Sequence, residues 1–136
     1  MSAPSGGERS PIPVDVESIA AIVVDAGLRV HRTLGPGLLE SVYESCLVYE
    51  LKKQGLDPRR QVNVPIVYDG HQIETNLRID LLVNGAVIVE VKSIELFLPV
   101  HQSQLLTYLR LSGCRVGFLM NFNVRLFKEG VRRLVV

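Results

Sequence analysis

Apolar residues recur at helical spacing near the start of the chain. Ile19, Ile22, Val23, Ala26 and Val30 fall on one face, so an amphipathic helix is expected over Val16–Thr33, with Asp15 or Ser18 as its cap. Gly35-Pro36-Gly37 breaks it. A second helix is expected over Leu38–Gln54, with Leu39, Val42, Cys46 and Tyr49 as its apolar stripe and Gly55 just past its end. The period then changes from helical to two. Gln61–Tyr68 alternates, with Val62, Val64 and Ile66 on one face. Asp69-Gly70 predicts a tight turn, His71–Val83 a partner strand, and Asn84-Gly85 a second tight turn. Ala86–Val91 is almost wholly apolar, which predicts a central strand covered on both faces. Pro99 precedes a helix expected over Val100–Leu111, and Gly113 ends it. Cys114–Met120 is a further apolar strand, Arg115 excepted. Asn121-Phe122-Asn123 reads as a turn and Val124–Phe127 as an edge strand, while Gly130–Val136 fits no single element.

This order predicts an α/β fold. Its mixed sheet of four to five strands holds an antiparallel three-stranded meander, a crossover helix and a further strand, flanked by helices. A chain of 136 residues suits one core, so residues 14–136 are expected to form a single domain. Residues 1–13, with three prolines and two glycines, are expected to be a disordered tail. No apolar run approaches the roughly 20 residues of a membrane span, and the first residues contain no apolar signal-peptide core. A soluble, cytoplasmic protein with no membrane partner is expected.

Charge narrows the picture less. Fifteen Lys and Arg against fourteen Asp and Glu leave a net charge of +1, without the strong basic excess of many nucleic-acid binders. Arg59–Arg60 and Arg132–Arg133 are the basic doublets and read as solvated positions. Cys46 and Cys114 lack the spacing of a zinc site and read as buried free thiols.

The chemistry concentrates in one stretch. Asp80 closes one apolar run, and Glu90 and Lys92 interrupt the next. Charges inside β-branched strands are costly to bury without partners. Two carboxylates and a lysine at one sheet end are suited to a hard divalent cation and to phosphodiester hydrolysis. Asp80, Glu90 and the Val91 carbonyl are the candidate ligands for Mg2+ or Mn2+. Lys92 is placed to orient the attacking water, help deprotonate it, or stabilise the charged phosphorane. A two-residue turn at Asn84-Gly85 pairs Val83 with Ala86 and Asp80 with Val89. That register puts Asp80 and Glu90 on opposite faces unless a bulge or twist intervenes. Glu40, Tyr43, Glu44 and Leu47 share a helix face, as do His101, Gln104 and Tyr108. Each also has a plainer reading: a structural ion pair for Asp80, Glu90 and Lys92, a surface glutamate for Glu40, core packing for Tyr43, a solvated stripe for Gln104 and Tyr108, and a helix-start residue for His101.

Asp80 followed by Glu90-x-Lys92 resembles the core of the PD-(D/E)xK nucleases, and the order of elements resembles their restriction-endonuclease-like core. Gln104-x-x-x-Tyr108 resembles a motif of RecB-like exonucleases. Gly37-x-x-Glu40-x-x-Tyr43 resembles the signature of the GxxExxY family of small prokaryotic proteins, assigned to the same superfamily. The likeness runs from about Ile19 to Arg133. The proline that often precedes the first carboxylate is absent, since the sequence there is Arg78-Ile79-Asp80. The resemblance implies a metal-dependent nuclease acting on DNA or RNA, with Glu40 joining Asp80 and Glu90 at the metal and Gln104 and Tyr108 supporting the site. Tyr43 and His101 are the further support candidates. The competing expectation is a nuclease-fold module that binds nucleic acid or a protein with little turnover. A third is a subunit completed by a second copy of itself or by another protein.

Overall fold

A computed structural model describes residues 10–136. Most of the expected N-terminal tail therefore lies outside the described residues. Its last part, residues 10–13, runs against the domain. Ile12 packs on the core, and the Arg115 guanidinium donates to the carbonyls of Ser10 and Pro11.

Helix α1 spans Val14–Leu34 and α2 spans Glu40–Lys53. Neither has a side-chain N-cap; α1 begins directly after Pro13, whose carbonyl accepts from Glu17 N. The strands are β1 (Pro58–Asn63), β2 (Ile66–Tyr68), β3 (His71–Ile73), β4 (Arg78–Val83) and β5 (Val87–Lys92). They are followed by α3 (Pro99–Ser112), β6 (Val116–Asn121), the single turn α4 (Phe127–Gly130) and β7 (Val131–Val135). Five strands form one sheet in the order β1-β4-β5-β6-β7, and β2 and β3 form a separate hairpin. β5 and β6 run parallel, as a crossover through α3 requires, and the other pairs of the sheet are antiparallel. The fold is thus the expected mixed sheet flanked by helices.

Two expected strands are each divided. Pro65 has no N–H to give a ladder, so Gln61–Tyr68 breaks into the end of β1 and the short β2. The expected partner strand breaks likewise into β3 and β4. Thr75, in the gap, bonds the Val64 carbonyl through its hydroxyl at 2.9 Å. The edge strand lies further along the chain than expected. Phe127 turns inward beside Phe122 and His31, which winds residues 127–130 into a helical turn, and Val131–Val135 supplies the strand.

The sheet separates two apolar layers. Val87, Val89 and Val91 of β5 face α1 and α2, while Ile88 joins the cluster under α3 with Leu105, Tyr108 and Leu109. On the first side, α1 approaches closely because residue 27 is glycine. A Cβ there would overlap the Phe127 ring. Tyr43 is completely buried and stacks on Phe122, with ring centroids 4.5 Å apart and planes 10° from parallel. Such a contact adds about 0.5–1.5 kcal/mol beyond area burial.

Candidate active site

The turn between β4 and β5 sets the site. Val83 pairs with Val87, Leu82 with Ile88 and Leu81 with Val89, so the connection holds three residues, Asn84, Gly85 and Ala86. The expected two-residue turn is therefore off by one. Asn84 and Gly85 do adopt left-handed φ values of 53° and 64°. However, Asn84 is also tied to Asp57, accepting from Asp57 N at 2.6 Å and donating to its carbonyl at 3.0 Å. A shift of one residue reverses the face of every side chain on the partner strand. Continued by one step, the observed register sets Asp80 against Glu90.

At that step the ladder gives way to side chains. Asp80 N donates to Glu90 Oε1 at 3.3 Å, and Val91 N donates to Asp80 Oδ2 at 2.8 Å. The alternation of β4 breaks here too: Ile79 packs under α3, whereas Leu81 packs under α1 and α2. On the other side, β1 pairs with β4 at Arg60↔Leu81 and Val62↔Ile79 but not between them. The unpaired β1 residue is Gln61, at φ 51°, a left-handed conformation that costs a non-glycine residue about 1–2 kcal/mol.

Glu90 is 3% exposed. Its pKa is pushed up from 4.5 to about 9, first by burial and then by the charge of Asp80; Lys92 opposes the shift. Two carboxylates in contact inside a protein cannot both ionise cheaply. Tyr108 reaches the same place from α3. Its hydroxyl pKa is raised by burial and by the Glu90 and Asp80 carboxylates, against a lowering hydrogen bond from the Arg78 backbone. Gln104, one turn earlier on α3, is half-buried.

A cleft of about 470 Å³ opens beside this pair. Glu40, Ser41 and Glu44 of α2 form one wall with the preceding Leu39, and Gln61, Asp80, Val91 and Lys92 form the rest. Glu40 Oε1 accepts from Ser93 N at 3.2 Å, joining the start of α2 to the end of β5. Glu90 lies behind Asp80 rather than in the wall. The structure therefore gathers Asp80, Glu90, Val91, Lys92 and Glu40 at one sheet end, with Tyr108 beneath.

Tyr43 and His101 stand apart from this cleft. The Tyr43 hydroxyl donates to the Gly35 carbonyl at 2.6 Å and accepts from Leu38 N at 3.1 Å, so it shapes the loop that leads into α2. His101 Nδ1 accepts from Leu98 N at 2.9 Å, closing the first turn of α3.

Glu44 is a wall residue that the sequence motifs do not point to. It is 5% exposed and accepts from Arg60 Nε at 3.0 Å and from the Gln61 amide at 3.3 Å. Its position four residues after Glu40 was the available sign, because that spacing sets both carboxylates on one helix face. By its local sequence Asn121 reads as a turn residue. It is buried at the end of β6, and its carboxamide accepts from Ile94 N at 3.0 Å and donates to the Ile94 carbonyl at 2.8 Å, fixing the chain just after Lys92.

Among the described residues no three His, Cys, Asp or Glu side chains already converge as a metal-ligand cluster. No described helix is long and apolar enough to cross a membrane. Neither a curated protein nor a solved structure matches the chain. A family model described as the PD-(D/E)XK nuclease superfamily does match, over residues 17–134, and the chain belongs to that superfamily.

Proposed function

We propose that the protein is a metal-dependent nuclease that hydrolyses phosphodiester bonds of DNA or RNA in the cleft between α2 and the β4–β5 pair. The observation that carries this reading is the contact of Asp80 with Glu90 at the same sheet end as Lys92. The match to a nuclease superfamily supports it.

The donor set suits a hard cation. Asp80 and Glu90 are oxygen donors held together at an electrostatic cost, and a divalent ion between them removes that cost. Magnesium binds through one or two carboxylates and keeps several waters, so two acidic side chains and the Val91 carbonyl are a sufficient protein contribution. Mg2+ or Mn2+ held there would supply Lewis acidity and lower the pKa of a bound water. Glu40 lies one wall away and adds a further carboxylate. Lys92 is the cationic group of the cleft wall; its role is to orient the attacking water and to stabilise charge on the phosphorane. Tyr108 and Gln104 hold the buried side of the pair in place. Within the superfamily, Gly37, Glu40 and Tyr43 favour the GxxExxY group, with Glu40 at the cleft and Tyr43 shaping its approach.

A second reading is a nuclease-fold module that binds nucleic acid or a protein with little turnover. The cleft wall favours it in one respect: among the described residues Glu40, Glu44 and Asp80 share the wall with a single lysine, a poor reception for a polyanion without a cation. A cleavage screen over single- and double-stranded DNA and RNA with Mg2+ or Mn2+ separates the two. The nuclease reading predicts cleavage that is lost on chelation and falls by roughly 10²-fold or more in Asp80→Ala and Lys92→Ala. Cleavage retained in folded forms of either variant contradicts it.

A further inference from the structure

The carboxylate-lined cleft has a neighbour of opposite character. A second concavity, about 450 Å³, lies at the C-terminal end of α1. Among the described residues Arg32 and Arg125 stand in its wall and no Asp or Glu does, while Pro36 and Leu126 add apolar surface. Both arginines are exposed. Among the described residues Arg125 has only a loose ion pair, 3.9 Å from Glu129, of the kind that contributes little at a surface. The basic doublets differ: Arg60 is bonded to the buried Glu44, Arg133 to Glu17, and Arg132 lies over Phe97.

The concavity is a built feature. His31 is buried, and its Nε2 donates to the Val124 carbonyl at 2.7 Å. That bond fastens the loop before Arg125 to α1, one residue from Arg32. The two guanidinium groups are thus carried by segments held to each other.

The two concavities share one loop. Gly35 and Pro36 line the basic one, and Leu39 and Glu40 line the other. Pro36 and Leu39 are three residues apart, a span of at most about 11 Å. One strand of a duplex rises ~3.4 Å along its axis per nucleotide and its phosphates lie further apart than that, so a few nucleotides cover that span.

We infer that Arg32 and Arg125 form a phosphate-binding subsite for the nucleic-acid strand that enters the carboxylate cleft, with the strand crossing the Gly35–Leu39 loop. The inference rests on the nuclease reading and deepens it. It assigns the attraction for substrate to a place where the cleft itself has little, and guanidinium forks suit phosphate oxygens. Pro36 and Leu126 offer an apolar surface to a sugar or base.

The test compares wild type with the Arg32→Ala/Arg125→Ala double variant and with Arg32→Lys/Arg125→Lys. Circular dichroism first confirms that all three fold alike. Mn2+ affinity is measured by calorimetry. Binding of a short labelled oligonucleotide, single-stranded and duplex, is followed by anisotropy over a range of salt, with Ca2+ present. The alanine variant is expected to keep the wild-type Mn2+ affinity and to bind oligonucleotide roughly tenfold more weakly at ~0.1 M salt. Its salt slope is expected to fall by about 1.4 on the single strand or about 1.8 on the duplex. The lysine variant is expected to recover most of the slope. Equal binding and equal slope in wild type and alanine variant overturn this inference alone. An oligonucleotide that wild type neither binds nor cuts overturns the nuclease reading and the inference with it.

Discussion

At its turn end, the β1-β4-β5 meander is an ordinary ladder. Pro58↔Val83, Arg59↔Leu82 and Arg60↔Leu81 pair on one side of β4, and Val83↔Val87 through Leu81↔Val89 pair on the other. The inward residues Leu81, Val83, Val87 and Val89 are fully buried. One residue beyond the last of these pairs, the same strands carry Gln61 in a left-handed conformation, an aspartate whose carboxylate takes a main-chain N–H, and a buried glutamate in contact with it. The first end maintains the sheet. The second spends stability, through a strained backbone and two carboxylates that oppose each other. That division is what an active site at a sheet end requires: an apolar half rigid enough to hold charges where they would not otherwise stay.

Substitutions at the two ends should therefore act in opposite directions. Leu81→Ala, at the apolar end, is expected to lose about 2–5 kcal/mol in urea unfolding. A loss well under 1 kcal/mol would show that this end is not the anchor. Glu90→Gln, at the other end, is expected to gain stability on the order of 2–4 kcal/mol at about pH 8 without divalent cations. The sign follows from proton binding. Folded Glu90 keeps its proton up to about 9, while the unfolded chain releases it near 4.5. Between those values the folded state holds more protons, so its stability falls as pH rises. The contribution is complete below 4.5 and is lost progressively up to about 9. Glu90→Gln should remove that slope, and an unchanged slope would mean that Glu90 is ionised in the folded protein. The smallest effect is expected at the turn. Asn84→Ala removes a residue tolerant of left-handed φ and the bond to Asp57 N, for a loss of about 1 kcal/mol in the same unfolding assay.

Much of this architecture was legible in the pattern of residues. The apolar run of β5, the glycine after α3 and the change of period after Gly55 place the central elements to within a few residues. Asp80, Glu90 and Lys92 mark the candidate site in the sequence because charges in such apolar runs need a reason. What stayed hidden depends on contacts between distant segments. Asn84-Gly85 has the composition of a two-residue turn, and the third residue follows from a bond to Asp57, 27 positions away. That one residue decides whether Asp80 faces Glu90. Glu44 lies on the expected helix face, but its role emerges only with Arg60 and Gln61 across from it. β7 carries two adjacent arginines in five residues, which blurs its alternation, and its pairing with β6 supplies the register that the local pattern lacks.

The central claim is that Asp80 and Glu90 take up one divalent cation between them. Calorimetric titration of Mn2+ near neutral pH, in buffers of different ionisation enthalpy, tests it most directly. Wild type should bind one equivalent of Mn2+ and release about one proton, because Glu90 must give up the proton it holds up to about 9. Asp80→Ala should lose the binding. Mn2+ uptake that releases no proton, or that persists unchanged in Asp80→Ala, would contradict the account.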